Sequence, residues 1–506
     1  MFRRTPAGTA RRWILIIAVT LMVAALAVLS GAVVVYQRAD VTTVGAVEFT
    51  DELPIPPLAP SRVDADGTRV FDLEMRAGRT EFRPGRFTDT WGFNGDYLGP
   101  TLRASRGERV RVRVRNALPE ASTVHWHGMH LPAAMDGGPH QMVEPGADWT
   151  PQWTIDQPAA TLWYHPHPHG DTETHVRRGL AGAFLLDDPS ADALTLPRTY
   201  GVDDLPIIVQ DVKFRGDQLD GTHAMFRDVG FLGDQTMVNG SLAPYRTVDD
   251  ELVRLRLLNA STARTYTFGF SDDRAFALIG TDGGLLERPA EVDRIQLSPG
   301  ERAEIVVRFE PGTPTVLRGY PLDAGLDFWT QRFSGGDDTF DIMQFRPTDT
   351  LRPSPPLPAT LVRPEIPDGS GAVAEREFDL SFGSINGREM AMDRVDFAVT
   401  RGSTEIWTVR NADGMPHNFH VHDVQFRVLD RDGSPPPPEL SGPKDTVFLP
   451  PGGSMRLALR FDGPADPDTP YMYHCHLLWH EDTGMMGQFV VVEPGGAAGR
   501  PPVHGH

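Results

Sequence analysis

The longest apolar run opens the chain, where the 24 residues from Trp13 to Tyr36 carry no charge. Arg3, Arg4, Arg11 and Arg12 precede it, and Gln37, Arg38 and Asp40 follow. As a helix rising about 1.5 Å per residue, it spans a hydrocarbon core of about 30 Å. The run predicts a transmembrane anchor over residues 13–36. Residues 1–12 form a basic leader that stays in the cytoplasm under the positive-inside rule, and everything after Tyr36 lies outside. The alternative is a cleaved export signal, since Arg11-Arg12-Trp13-Ile14-Leu15 is similar to a twin-arginine motif, from which the folded protein is released. The anchor is preferred because the run exceeds the roughly 7–15 residues of a signal core and no small-x-small cleavage site follows it.

Past a Pro-rich stretch from Leu53 to Pro60, apolar and polar residues alternate in short runs. Arg109-Val-Arg-Val-Arg-Val-Arg-Asn116, Glu251-Leu-Val-Arg-Leu-Arg-Leu-Leu-Asn259 and Glu405-Ile-Trp-Thr-Val-Arg-Asn411 each carry a period-two pattern that ends in Asn. Each reads as a half-buried strand leading into a turn. Together they mark a weak internal repeat, three copies of one β-sandwich over residues 48–190, 200–346 and 372–494. Between the last two, residues 347–371 hold Pro353, Pro355, Pro356, Pro358, Pro364 and Pro367, which predicts a stiff extended linker. The tail 495–506 is expected to be disordered.

Composition agrees with an all-β reading. The 506 residues suit about three domains, and 50 Gly with 45 Pro make nearly a fifth of the chain, which favours short strands and turns over long helices. A net charge of −20 disfavours nucleic acid as a partner, because a phosphate backbone repels such a surface. The single cysteine, Cys475, excludes an intramolecular disulfide and calls for another explanation.

Four histidine clusters supply one: His125-Trp-His127-Gly, His165-Pro-His167-Pro-His169, His417-Asn-Phe-His420-Val-His422, and His474-Cys475-His476-Leu-Leu-Trp-His480 followed by Met485. Each holds a His-x-His pair, which a strand presents to one side. In the fourth, His474 and His476 face one way and Cys475 the other, so two metal centres are expected within a few covalent bonds of each other. Cys475, His480, Met485 and a remote His417 make a Cys, two-His, weak-Met set. That set suits copper moving between two oxidation states, whereas zinc would fit but is not usually held this way. Eight histidines remain for the other centre: His125, His127, His165, His167, His420, His422, His474 and His476. Three copper ions sharing eight imidazoles leave open coordination of the kind dioxygen needs.

These motifs, in this order and over roughly Val47 to Glu493, resemble the multicopper oxidases, closest to the bacterial three-domain branch of laccase-like, cuprous oxidase and bilirubin oxidase-like enzymes. The resemblance implies three cupredoxin-like Greek-key β-sandwiches, the middle one copper-free, with the cluster between the first and third. It implies four copper ions: type 1 on His417, Cys475, His480 and Met485, type 2 on His125 and His420, and a type 3 pair on His127, His165 and His476 and on His167, His422 and His474. Electrons from a reducing substrate would enter at type 1 and pass through Cys475 to reduce dioxygen to water. Asp136 and Glu481 stand where the family keeps proton-handling acids, and His169 where a hydrogen-bonding neighbour of the cluster is expected. His130, His140, His175 and His223 read as surface or structural residues.

Asp413 and Met415 match half of a family site for cuprous substrate, but no methionine occurs between Arg346 and Ile385 to complete it. Met390 and Met392 read as core residues of a strand-like stretch. The preferred donors are therefore phenols and aromatic amines, with cuprous or other metal ions as the alternative. A copper-free scaffold acting in cell division would have lost ligands, and none is missing here. A copper-storage role is the other non-enzymatic alternative, and a copper nitrite reductase would lack the four His-x-His pairs.

Overall fold

A computed structural model describes residues 7–223, 229–323 and 325–501. Residues 1–6 of the basic leader, and His504 and His506, lie outside the described residues. A helix, Ala7–Gln37, contains the whole apolar run, and its span Arg11–Gln37 is unburied. Residues 7–12 belong to this helix.

Three β-sandwiches follow. In the first, a six-stranded sheet built on Arg69–Arg83 and Arg109–Ala117 faces a four-stranded sheet of Leu102–Ser105, Gly182–Asp187, Ala160–His165 and His125–His127. The second packs a seven-stranded sheet on a five-stranded one, and the third packs two five-stranded sheets. Each encloses its own aliphatic and aromatic core. Burying one such side chain contributes about 1.5–3 kcal/mol.

The internal repeat extends to single atoms. The three Asn-terminated runs form the strands Arg109–Ala117, Leu252–Asn259 and Thr404–Asn411. Each has a parallel neighbour starting earlier in the chain: Arg69–Arg83, Asp204–Val212 and Ala374–Ser381. Each terminal Asn latches the following turn in the same way. Asn116 Nδ2 donates to Glu120 O and Val143 O at 2.9 and 2.7 Å. Asn259 Nδ2 donates to Arg264 O and Leu297 O at 2.8 and 2.9 Å, and Asn411 Nδ2 to Met415 O and Leu449 O at 2.6 and 3.0 Å. In all three the Oδ1 accepts from the backbone two residues on, at Leu118, Ser261 and Asp413.

Several boundaries differ from those expected. The segment through residue 55 belongs to the second sandwich, not the first: Leu53 lies in its core, with Val41 and Ile55 packed against it, and Leu53 N donates to Tyr245 O at 2.7 Å. The chain reaches the first sandwich at the Leu58–Thr101 bridge. The expected linker starts too early, because the strand Phe340–Arg352 continues through Pro347. Its pairing with Thr315–Tyr320 ends at Phe345, so proline there interrupts no ladder on that side. The tail is not disordered as far as it is described: Gly499 N donates to Pro467 O at 2.8 Å and Arg500 N to Asp468 Oδ1 at 3.2 Å. His169 is exposed rather than tucked beside the cluster. Met390 and Met392 are half-buried and outside any strand, because Asn386 and Gly387 at φ 54° and 67° turn the chain after the two-residue strand Ser384–Ile385.

Candidate metal centre

The histidines converge because the ends of two sandwiches meet. His125 sits opposite His165 across one antiparallel pair, and His420 opposite His474 across another. Side-chain alternation then sorts each segment. Trp126 turns into the first core while His125 and His127 turn out of it. In the third sandwich His417 and Cys475 turn one way, and His420, His422, His474 and His476 turn the other.

All eight cluster histidines are buried, and their ring nitrogens approach at ligand spacing. His127 Nδ1 and His476 Nε2 each lie 3.4 Å from His165 Nε2. His167 Nε2 and His422 Nε2 each lie 3.2 Å from His474 Nε2. Two nitrogens about 2.0 Å from one ion at a tetrahedral angle stand about 3.3 Å apart, so both trios have the spacing of ligands around an ion. His125 Nε2 and His420 Nε2 are buried with no hydrogen-bond partner. Such an atom costs about 1–3 kcal/mol unless something fills its lone pair, and a cation would.

Outward-facing nitrogens are tied to the protein, which turns lone pairs inward. His125 Nδ1 donates to Asp136 O at 3.1 Å, His420 Nδ1 to Asp445 O at 2.9 Å and His165 Nδ1 to Pro166 O at 2.8 Å. Asp136 Oδ2 accepts from His422 Nδ1 at 2.6 Å, so this residue braces His125 of the first sandwich and His422 of the third. The Glu481 carboxylate lies 3.3 Å from His167 Nδ1 and 3.1 Å from His474 Nδ1. Burial works against its charge, but these rings outweigh that and hold its pKa below the ordinary value. Burial keeps the imidazoles neutral and ready to ligate: it drives His127, His165, His420 and His422 well below 6.5 and His167 and His476 down to about 3.

The second centre lies on the other face of the same segment. His417 Nδ1 and His480 Nδ1 are 3.1 Å apart, and Cys475 Sγ lies 3.9 and 3.5 Å from them. Cys475 and Met485 are both buried in the third core, and Cys475 N donates to Met485 O at 3.1 Å. Burial pushes the thiol up to about 12, so an ion that binds here must displace its proton. His417 Nε2 donates to Asp413 at 3.1 Å; burial would raise the Asp413 pKa, but His417 together with the Met415 and Phe382 amides outweighs it and brings the value down to about 2. Asp413 and Met415 are half-buried at this edge. Phe382, 50% exposed, stands edge-on to His480 with ring centroids 5.3 Å apart.

Four residues that are not themselves expected ligands complete the setting. Asp445 Oδ1 accepts from His127 Nε2 at 3.1 Å, and the same carboxylate accepts from Arg302 Nη1 and Nη2 at 2.7 and 2.6 Å. Gly128, at φ +83°, makes room for that pair, since a Cβ there would meet Asp445 Oδ2 at 2.6 Å. Asn418 Oδ1 accepts from His476 N and from Cys475 Sγ, holding both centres to one side chain. Among the other histidines, His140 meets Gln488 Oε1 at 2.8 Å, His175 sits between Ser122 and Glu120, and His223 pairs with Glu173, as structural residues do. His130 is half-buried beside Asp156.

Comparison with known proteins agrees with this donor set. Family signatures described as multicopper oxidase match residues 74–191, 204–316 and 362–495. The chain is 34% identical over 449 residues to the multicopper oxidase mco of Staphylococcus epidermidis, covering 87% of this chain and 92% of that one. It is 37% identical over 451 residues to the cell division protein FtsP of Salmonella typhimurium, covering 87% and 92%. A solved laccase-like multi-copper oxidase, CueO from Ochrobactrum sp., described as having oxidase activity towards lignin model compounds and lignosulfonate, superposes with a TM-score of 0.79 at 36% identity, covering 87% of this chain and 100% of that one. With three cupredoxin-like sandwiches and copper-type donors in both centres, the chain belongs to the multicopper oxidase family.

Proposed function

We propose that this chain oxidises small phenols and aromatic amines one electron at a time at the Cys475 centre and reduces dioxygen to water at the histidine cluster. The observation that carries the reading is the complete donor set on both faces of His474-Cys475-His476. On this reading four copper ions bind: type 1 at His417, Cys475, His480 and Met485, type 2 at His125 and His420, and type 3 at His127, His165 and His476 and at His167, His422 and His474. Copper held there supplies the one-electron chemistry and the site for dioxygen. The peptide bonds from Cys475 to His474 and His476 give a covalent route between the centres. Asp136 and Glu481, each against cluster imidazoles, hold and deliver the protons that water formation consumes. Asp413, bonded to His417, takes the proton a phenol releases on oxidation. The N-terminal helix anchors the molecule to the outer face of the cell membrane.

Support for aromatic donors comes from the exposed Phe382 ring beside His480 and from the methionine-free stretch between Arg346 and Ile385. Asp413 and Met415 at the same edge favour the second reading, oxidation of cuprous or other metal ions. Relative rates on a dimethoxyphenol, bilirubin, Cu(I), Fe(II) and Mn(II) decide between them: the first reading expects the phenol to be turned over fastest. Cys475→Ser is expected to abolish the intense blue thiolate absorption and phenol oxidation together. Normal phenol oxidation by that variant would refute the proposed electron route, and a copper-loaded protein with no oxygen uptake would favour a non-enzymatic role, of the cell-division kind that the name FtsP states.

A further inference from the structure

The N-terminal helix is joined to the second sandwich with almost no slack. It ends at Gln37, and after Arg38, Ala39 and Asp40 the chain is already bonded to the sandwich. Val41 N donates to Asp338 Oδ1 at 2.7 Å, Thr339 N to Val41 O at 2.9 Å and Thr43 N to Thr339 O at 3.0 Å, and Gly45 N to Asp341 Oδ2 at 2.8 Å. A globular part tethered this tightly cannot drift from the end of its helix.

A short helix of the second sandwich, Phe328–Phe333, meets that end. Phe328 stacks on Tyr36 with centroids 4.4 Å apart and planes 11° from parallel. Trp329 and Phe333 each lie 6.4 Å from the Tyr36 ring. The Arg332 guanidinium covers the ring at 4.5 Å and pairs with Asp40 at 3.1 Å. Phe328 is nevertheless 69% exposed and Trp329 41%. One exposed aromatic is ordinary. A group of them stacked on the last aromatic residue of an apolar span is not.

Depth follows from length. The Arg11–Gln37 span has 27 residues, about 40 Å as a helix against a hydrocarbon core of about 30 Å. With Arg11 and Arg12 at the inner surface, Trp13 stands at the inner interface and Tyr36 at the outer one, where Trp and Tyr are favoured. Whatever stacks on Tyr36 shares its depth. We infer that Phe328 and Trp329 form a wedge inserted among the lipid headgroups of the outer leaflet, holding the second sandwich flat against the bilayer. This rests on the anchor reading above. Near the wedge, Asp40, Asp327 and Asp337 outnumber Arg38 and Arg332, and the chain carries a net charge of −20. Insertion is therefore driven by aromatic burial into a zwitterionic surface rather than by attraction to anionic lipid.

Tryptophan quenching tests it with the full-length, copper-loaded chain in phosphatidylcholine bilayers brominated either just below the headgroups or near the bilayer centre. Trp13→Phe and Trp329→Phe variants, both retaining the blue absorption as a check on folding, isolate each residue's emission by difference. The expected result is that shallow bromines quench both Trp13 and Trp329, and that deep bromines leave Trp329 unquenched. Quenching of Trp329 without Trp13 contradicts the depth argued from the span and overturns the inference as stated. If Trp13 is quenched while Trp329 emits equally in brominated and plain lipid, the wedge is refuted and the anchor stands. If neither is quenched, the anchor reading fails and the wedge with it.

Discussion

At Asp445 one carboxylate faces two demands. Buried completely, it neutralises Arg302 from the second sandwich and accepts a hydrogen bond from His127 of the first. Losing one partner of a buried ion pair costs about 3–5 kcal/mol, because the remaining charge cannot reach water. Asp445→Asn is therefore expected to lower the thermal midpoint and, by freeing the His127 ring, to reduce copper at the cluster while the blue absorption at Cys475 persists. Calorimetry, copper analysis and the visible spectrum check this together; full copper with an unchanged midpoint would show that the carboxylate does neither job. Glu304 makes the same point between the first two sandwiches. It accepts from Thr161 Oγ1 at 2.6 Å and Arg256 Nη1 at 2.9 Å, and pairs with Arg254.

Among elements, the three Asn latches separate stability from chemistry. Each bonds one carbonyl and one amide of its turn and one carbonyl from a distant segment, and removing it strands buried polar groups at about 1–3 kcal/mol. Asn259→Ala, in the second sandwich, is expected to lower the midpoint and leave phenol oxidation unchanged. Asn411→Ala should cost similar stability but also raise the KM for phenols, since the released turn carries Asp413, Met415 and the approach to His417. Paired denaturation and steady-state measurements check both, and equal kinetics in the two variants would contradict the assignment. The latch residue was legible in the sequence as a strand ending in Asn. Its bonding was not, because Val143, Leu297 and Leu449 lie 27, 38 and 38 residues further along the chain.

Over the whole molecule, buried charge welds the sandwiches together, and this gives the assembly a defined acid limit. Burial would raise the Glu304 pKa, but Arg254 and Arg256 outweigh it and bring it down to about 2. The folded value lies below the unfolded one, about 4.3. Its contribution is therefore complete above that pH and is lost as pH falls towards 2, on the order of 3 kcal/mol in all. Glu304→Gln should destabilise the protein at pH 7 and flatten the decline in thermal midpoint below pH 4.5. A variant with the wild-type acid profile would remove Glu304 from that account.

Local order in the chain was enough for the N-terminal apolar helix, the strands that carry the repeat, and the division of His474-Cys475-His476 between two faces. Apolar continuity, period-two alternation and i, i+2 sidedness are properties of neighbouring residues, and they survive whatever the rest of the molecule does. Only tertiary structure decided that Leu53 joins the second core, that Met390 and Met392 leave the third, and that His127, Arg302 and Asp445 meet at one carboxylate. Those residues lie far apart in sequence on three different sandwiches, so no window of the sequence contains them. Their contact exists because burial brings the three sandwich ends together, and a buried charge persists only where its partner has been brought within reach.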